Sequence, residues 1–383
     1  MLGFTRASLL VVVMGTGFMG CTSTPETPED TGVDPVPVDA AIERVAAEME
    51  VLVAERMIPG ISVAIVKEDG TLWSGSVGVA DYDAGVEMTP ETALKAGSTT
   101  KTVTMGRVLQ LVESGVLNLE DAVSDHVGAI PAEHGIKIKH LLSHSSGLEK
   151  YGAYIEPGLV TASWEEEELI ALISELPLRF EPGEEYYYAN TNFVLLGMVV
   201  ESVTGESWTD ELNALLTSQE ISTAWIPQGE WGSTSPGYYV YPNGELHSVE
   251  GSTHNAVNDF HPSIIGAAGN MVSDVVGLVK WGDALWGGER VVSNDTRTLM
   301  VTPVVEGSFY ALGTIVLADE YGDQWSHNGA VNGYESHVGH RPDDGVTLAV
   351  MGNAWLSYEN KCCGPGWNWD VQARLWEAFY AEE

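Results

Sequence analysis

Apolar positions recur at helical spacing through residues 38–57, with Asp39 at the entrance and Ile58-Pro59-Gly60 at the exit. That spacing predicts a helix closed by a breaker. Residues 61–67 and 71–80 alternate or run apolar on either side of Glu68-Asp69-Gly70, the pattern of strand, tight turn and strand. Near the other end, 309–317, 336–340 and 347–353 read as further strands, and 369–381 as a closing helix. Between these ends the periodicity is helical over 99–114, 138–142, 166–174, 191–203 and 208–216. Strands at both ends with helices between them predict an α/β (α+β) chain. Its antiparallel sheet is drawn from both termini, flanked by N- and C-terminal helices, with a helical insertion and a cleft between the two parts.

The first 21 residues follow another logic. Arg6, an apolar run over 7–14 and small residues up to Gly20-Cys21 form the layout of a signal peptide. Phe18-Met19-Gly20-Cys21 resembles the lipobox of bacterial lipoproteins, with Phe18 where Leu is usual, which implies lipidation at Cys21. The expectation is an exported, lipid-anchored protein of the bacterial cell envelope, with a secreted or periplasmic protein as the alternative. Residues 22–38 (TSTPETPEDTGVDPVPV) are rich in Thr, Pro and acid and read as a disordered tether.

Charge narrows the partners. The chain of 383 residues has 17 Lys+Arg against 55 Asp+Glu, a net charge of −38, so nucleic acid is excluded as a partner for want of cations to meet its phosphates. An acidic field also tends to hold a lysine protonated. Cys362 and Cys363 are adjacent, so they supply no four-ligand zinc site. His247, His254 and His261 lack the spacing of metal ligands on a helix. No metal or cofactor is expected, and no dinucleotide fingerprint, phosphate loop, HExxH or Gly-x-Ser-x-Gly elbow occurs.

One short pattern carries chemistry. Ala96-Gly97-Ser98-Thr99-Thr100-Lys101 opens the 99–114 helix and is the one Ser-x-x-Lys in the chain. Residues three apart share a helix face, so the Lys101 amine can reach the Ser98 hydroxyl. A serine at a helix start also faces backbone N–H groups and the positive dipole end, both of which favour a developing oxyanion. These are the requirements of an acylating serine.

The surrounding segments strengthen that reading. Ile138 to Leu148 (IKHLLSHSSGL), the stretch around Ser98, Tyr188-Ala189-Asn190 with its flanks, residues 266–285, and Trp325-Ser326-His327-Asn328-Gly329 occur in the order found in one large group. The chain resembles the serine β-lactamase and penicillin-binding-protein superfamily, in its class C β-lactamase and D-alanyl-D-alanine carboxypeptidase branch, from about residue 38 onward. The resemblance implies a β-lactamase/transpeptidase-like catalytic domain over 39–383, its α/β part about 39–98 and 263–383 and its helical part about 99–262. It implies Ser98 as nucleophile, Lys101 or Tyr188 as base, and Asn190 orienting Lys101 and bonding the substrate amide. His327 then stands where other members carry Lys, as electrostatic and hydrogen-bonding partner of Tyr188. The backbone N–H groups of Ser98 and Ala330 form the oxyanion hole, Asn328 and Gly329 line the substrate, and His144 with Ser143–Ser146 packs structurally beneath the nucleophile helix.

Two departures bear on the substrate. Asn328 replaces the usual Thr, and Ala330 carries no hydroxyl. No Arg occurs between Arg297 and His327 to clamp a carboxylate. The expected activity is cleavage of an amide or ester by a carboxypeptidase-like or esterase-like hydrolase acting on a small-molecule or peptide substrate of cell-wall type. The alternatives are a β-lactamase and a non-catalytic lipoprotein that binds peptidoglycan or a partner. The aromatic-rich stretch 224–262 is expected to wall the substrate cleft.

Overall fold

The fold is taken from a computed structural model that describes residues 39–240, 246–248, 261–356 and 367–381. Cys21, the leader and tether over 1–38, His254, Cys362 and Cys363 lie outside the described residues, as does the side chain of His247.

Asp39 caps the first helix, α1 (Ala40–Arg56), its carboxylate accepting from the Ala41 N–H at 2.8 Å. The buried side chains Ile42, Val45, Met49 and Leu52 repeat at three and four residues and form one stripe. That stripe packs on the C-terminal helix and on strand β1 (Gly60–Val66). Every residue of β1 is buried because both faces of the strand are covered. Ile61, Val63 and Ile65 face α1, whereas Ala64 and Val66 join the larger core on the other side.

A tight turn leads from β1 into β2 (Leu72–Asp81), and β3 (Val86–Glu87) ends this edge. The chain then leaves the sheet for the helices and returns as β4 (Ile315–Asp319), β5 (Gly322–Val331), β6 (Tyr334–Arg341) and β7 (Val346–Gly352). The order β3-β2-β1-β7-β6-β5-β4 is antiparallel throughout, with Val63 paired to Val350 where the two ends of the chain meet. The antiparallel sheet built from both ends is therefore present, and the closing helix Trp367–Tyr380 packs on α1.

Helices α2 (Thr100–Glu113) and α3 (Asn190–Thr204) pack against each other in the helical part, whereas α4 (Val275–Trp286) lies on the second face of the sheet. The shorter helices Ile138–Leu142, Glu166–Ala171 and Trp208–Ser218 also fall where periodicity put them, the second ending three residues early. Two strand readings shift. Residues 309–314 turn instead of extending, with the Gly313 N–H bonded to the Leu142 carbonyl at 2.8 Å, so the strand begins at Ile315. The polar run from Gly322 forms a full strand that alternation did not announce. In the described part of 224–262, Trp231 and Tyr238 are buried, the latter accepting the Tyr82 N–H through its hydroxyl at 2.8 Å. Among the described residues no helix is long and apolar enough to cross a membrane.

Candidate active site

Ser98 sits in a single helical turn, Gly97–Thr99, that feeds directly into α2. Hydroxyls fix this turn from beneath. Thr99 donates to the Ala96 carbonyl (2.9 Å), Thr100 donates to the Gly97 carbonyl (2.6 Å) and accepts the Met271 N–H (2.9 Å). Strand β5 closes the turn from the side. Gly97 has φ +58°, and a β-carbon there would lie 2.8 Å from the Ala330 nitrogen, so only glycine gives both the backbone conformation and the close approach. A β-carbon on Gly329 would fall 2.0 Å from the Ala96 carbonyl oxygen. These two glycines bring the backbone of Ala330 against the turn that carries Ser98.

At the second residue of α2, Lys101 is fully buried. Its Nζ lies 3.1 Å from Ser98 Oγ, 2.8 Å from Asn190 Oδ1 and 2.6 Å from the Ala268 carbonyl oxygen. Burial holds the Lys101 amine well below the ordinary lysine range, because the charged form loses its solvation. All three partners are neutral oxygens and none is a carboxylate. The expectation that the acidic field would keep Lys101 protonated is thus corrected: desolvation at the amine outweighs charges spread over the surface.

Asn190 begins α3, and Tyr188 lies two residues earlier in the extended segment that leads in. The Tyr188 ring centroid is 4.9 Å from Lys101 Nζ, and its phenol is hydrogen-bonded by Ser98. Burial raises the Tyr188 phenol far above its usual range, opposed in part by that Ser98 hydrogen bond. Ser98, Lys101, Tyr188 and Asn190, spread over 93 positions of sequence, therefore converge.

His327 lies on β5 as expected, but its partner differs from expectation. Its Nδ1 is 2.6 Å from the Asn328 carbonyl oxygen and must carry the proton, so its Nε2 accepts from the Tyr310 hydroxyl at 3.0 Å. Burial pushes His327 down to about 3. It is a neutral imidazole bonded to Tyr310, with the Tyr188 ring centroid 6.4 Å away. The hydrogen bond of its Nε2 thus goes to Tyr310 and not to Tyr188. Tyr310 is the site residue that sequence reasoning missed; its aromatic ring just before the Leu312-Gly313 turn was the available signal.

His144 is fully buried. Its ring contacts are Tyr188 (4.2 Å between centroids), Tyr310 (4.9 Å), Phe193 (5.2 Å) and Tyr186 (6.2 Å). Asn328 is half-buried and Ala330 exposed beside the turn. Among the described residues no group of His, Cys, Asp and Glu could hold a metal ion.

Sheet, buried helix and Ser-x-x-Lys turn together define a class, the antiparallel-sheet hydrolases with a serine at the head of a central helix. The chain belongs to the beta-lactamase family, whose model, described as Beta-lactamase, matches residues 43–362. Among curated relatives, Protein flp of Staphylococcus aureus (strain COL) is 34% identical over 157 residues, 40% of this chain and 31% of its own length. The match thus spans about a third of that relative. Among solved structures, a D-stereospecific amidohydrolase from Streptomyces sp. is similar with TM-score 0.71 and 27% identity, covering 88% of this chain and 98% of the other. A D-amino acid amidase from Ochrobactrum anthropi SV3, solved with D-phenylalanine, shares the fold at TM-score 0.76 and 20% identity, covering 89% and 99%. A penicillin-binding protein homologue from Pyrococcus abyssi gives TM-score 0.69 at 27% identity over 82% and 73%.

Proposed function

We propose that this protein is a serine hydrolase that cleaves a neutral amide through an acyl-enzyme on Ser98. The observation that carries this reading is the desolvated Lys101 amine 3.1 Å from Ser98 Oγ. A neutral amine offers a lone pair to the hydroxyl proton while its N–H groups remain on Asn190 and Ala268. Ser98 Oγ then attacks the carbonyl carbon, and the oxyanion forms between the N–H groups of Ser98 and Ala330. Each such donor is worth about 3 kcal/mol. Tyr188, kept protonated by burial, hands its proton to the departing nitrogen and is replenished from the Lys101 ammonium. Water later attacks the acyl-enzyme by the reverse transfers, releasing the acid and restoring Ser98. Asn190 holds Lys101 in line, and Asn328 and Gly329 border the substrate.

The substrate class follows from what the site lacks as well as from its likeness to a D-stereospecific amidohydrolase. Position 328 carries an amide and 330 a methyl, so no hydroxyl pair reaches for a carboxylate. We infer a D-amino acid amide or ester, which presents no carboxylate, as substrate, with weak turnover of β-lactams. The test compares a D-amino acid amide, its L-enantiomer, a D-Ala-D-Ala peptide, a nitrophenyl ester and a chromogenic cephalosporin. The D-amide and ester are expected to exceed the cephalosporin by roughly 100-fold in kcat/KM, about 2.7 kcal/mol. A cephalosporin rate equal to the D-amide rate would overturn the substrate reading. Failure of a fluorophosphonate to label Ser98 would favour the binding-only reading.

We also infer export and lipid anchoring at Cys21, supported by the leader-like pattern before it. Metabolic labelling with palmitate is expected to mark the wild type and not Cys21→Ser; equal labelling of both would refute the anchor.

A further inference from the structure

His144 holds an unusual backbone conformation, φ +54°, which a side chain other than glycine adopts at a cost of roughly 1 kcal/mol or more. Such a conformation persists where the surroundings enforce it. Here it aims two groups of one residue at one short segment. The His144 carbonyl accepts the Tyr187 N–H at 2.8 Å, and its ring Nδ1 accepts the Ala189 N–H at 3.3 Å. Those N–H groups flank Tyr188, whose ring lies over the imidazole at 4.2 Å with a 40° tilt.

The imidazole is itself held. Nδ1 also accepts from Asn192 Nδ2 at 2.9 Å, and Asn192 Oδ1 accepts from Ser146 at 2.6 Å; all three residues are buried. Both contacts of Nδ1 are donors, so the proton resides on Nε2, which is buried and has no hydrogen-bonding partner among the described residues. Burial keeps His144 well below the ordinary histidine range and hence neutral. A neutral ring with a fixed tautomer is a rigid support, and it leaves the Tyr188 phenol free to meet Ser98.

We propose that His144 is a positioning residue that sets Tyr188 by clamping the main chain on both sides of it and supporting its ring from below. The proposal rests on the reading of Tyr188 as donor to the leaving group. That reading gives a signature a general loss of stability would not produce. An amide nitrogen needs a proton to depart, whereas a nitrophenolate departs without one, so a displaced Tyr188 penalises the amide selectively.

His144→Phe keeps a ring beneath Tyr188 and removes the acceptor. Asparagine tolerates the left-handed backbone and places Oδ1 where Nδ1 was, so His144→Asn keeps the acceptor. His144→Phe is expected to lower acylation by the amide by roughly 30-fold, with KM and the rate of acylation by a nitrophenyl ester within about three-fold. His144→Asn is expected to keep the amide-to-ester ratio within about three-fold of wild type. Proportional loss on both substrates in His144→Phe, or a collapsed ratio in His144→Asn, would overturn the proposal. If His144→Phe does not fold, the ratio in His144→Asn decides. Wild type that never acylates at Ser98 would instead overturn the hydrolase reading beneath it.

Discussion

Ser98→Ala is expected to lower kcat/KM for amide hydrolysis by roughly 10⁴-fold or more, because removing the atom that forms the acyl bond leaves only binding and oxyanion donors. The fold should not notice the change. Ser98 is half-buried, and its hydroxyl is one of three oxygens around Lys101 Nζ. Asn190 and Ala268 still occupy the amine, so the stability change should stay near 1 kcal/mol. The hydroxyl removed also bonds Tyr188, which remains supported by His144 and by its own segment. Steady-state kinetics, intact-protein mass after fluorophosphonate treatment and a thermal melt check the three clauses. Activity within ten-fold of wild type would remove Ser98 from the chemistry. A melt displaced by more than about 5 °C would mean that lost activity reports unfolding instead.

The legible parts of this chain are those in which a local pattern has a local cause. The stripe Ile42, Val45, Met49, Leu52 declares α1 by its period, and Ser98 and Lys101 meet because three residues on a helical path face one way. Tyr188 and Asn190 could be read only through the resemblance of Tyr188-Ala189-Asn190 and its flanks to the family's pattern. Alternation did not announce strand β5, which the resemblance implied around His327, because Gly322-Asp323-Gln324 and Ser326-His327-Asn328-Gly329 carry little strand propensity. Pairing with β4 on one side and β6 on the other overrides that propensity. The partner of His327 was hidden for a different reason. Tyr310 reaches it only because 309–314 turns back on itself, a turn anchored by the distant Leu142 carbonyl. Composition misled at one point: a net charge of −38 describes the surface, whereas Lys101 responds to its own shell of buried neutral atoms.

That shell decides which group acts as base, and Lys101→Met tests it. Burial favours the neutral amine, so the fraction of Lys101 able to accept a proton rises as pH rises through its lowered pKa. Acylation should therefore increase with pH along an acid-side limb displaced well below the ordinary 10.5 of lysine. Tyr188 moves the opposite way: burial keeps the phenol protonated, suited to giving a proton and not to taking one. Lys101→Met fills similar space without a lone pair and is expected to cut acylation by roughly 10³-fold, with the acid limb abolished. Tyr188→Phe should retain the limb while losing amide turnover more than ester turnover, since the base is intact and the donor is gone. Stopped-flow acylation by a nitrophenyl ester between pH 5 and 10 reads the limb directly. An unchanged limb in Lys101→Met, or its loss in Tyr188→Phe alone, would transfer the role of base to the tyrosine.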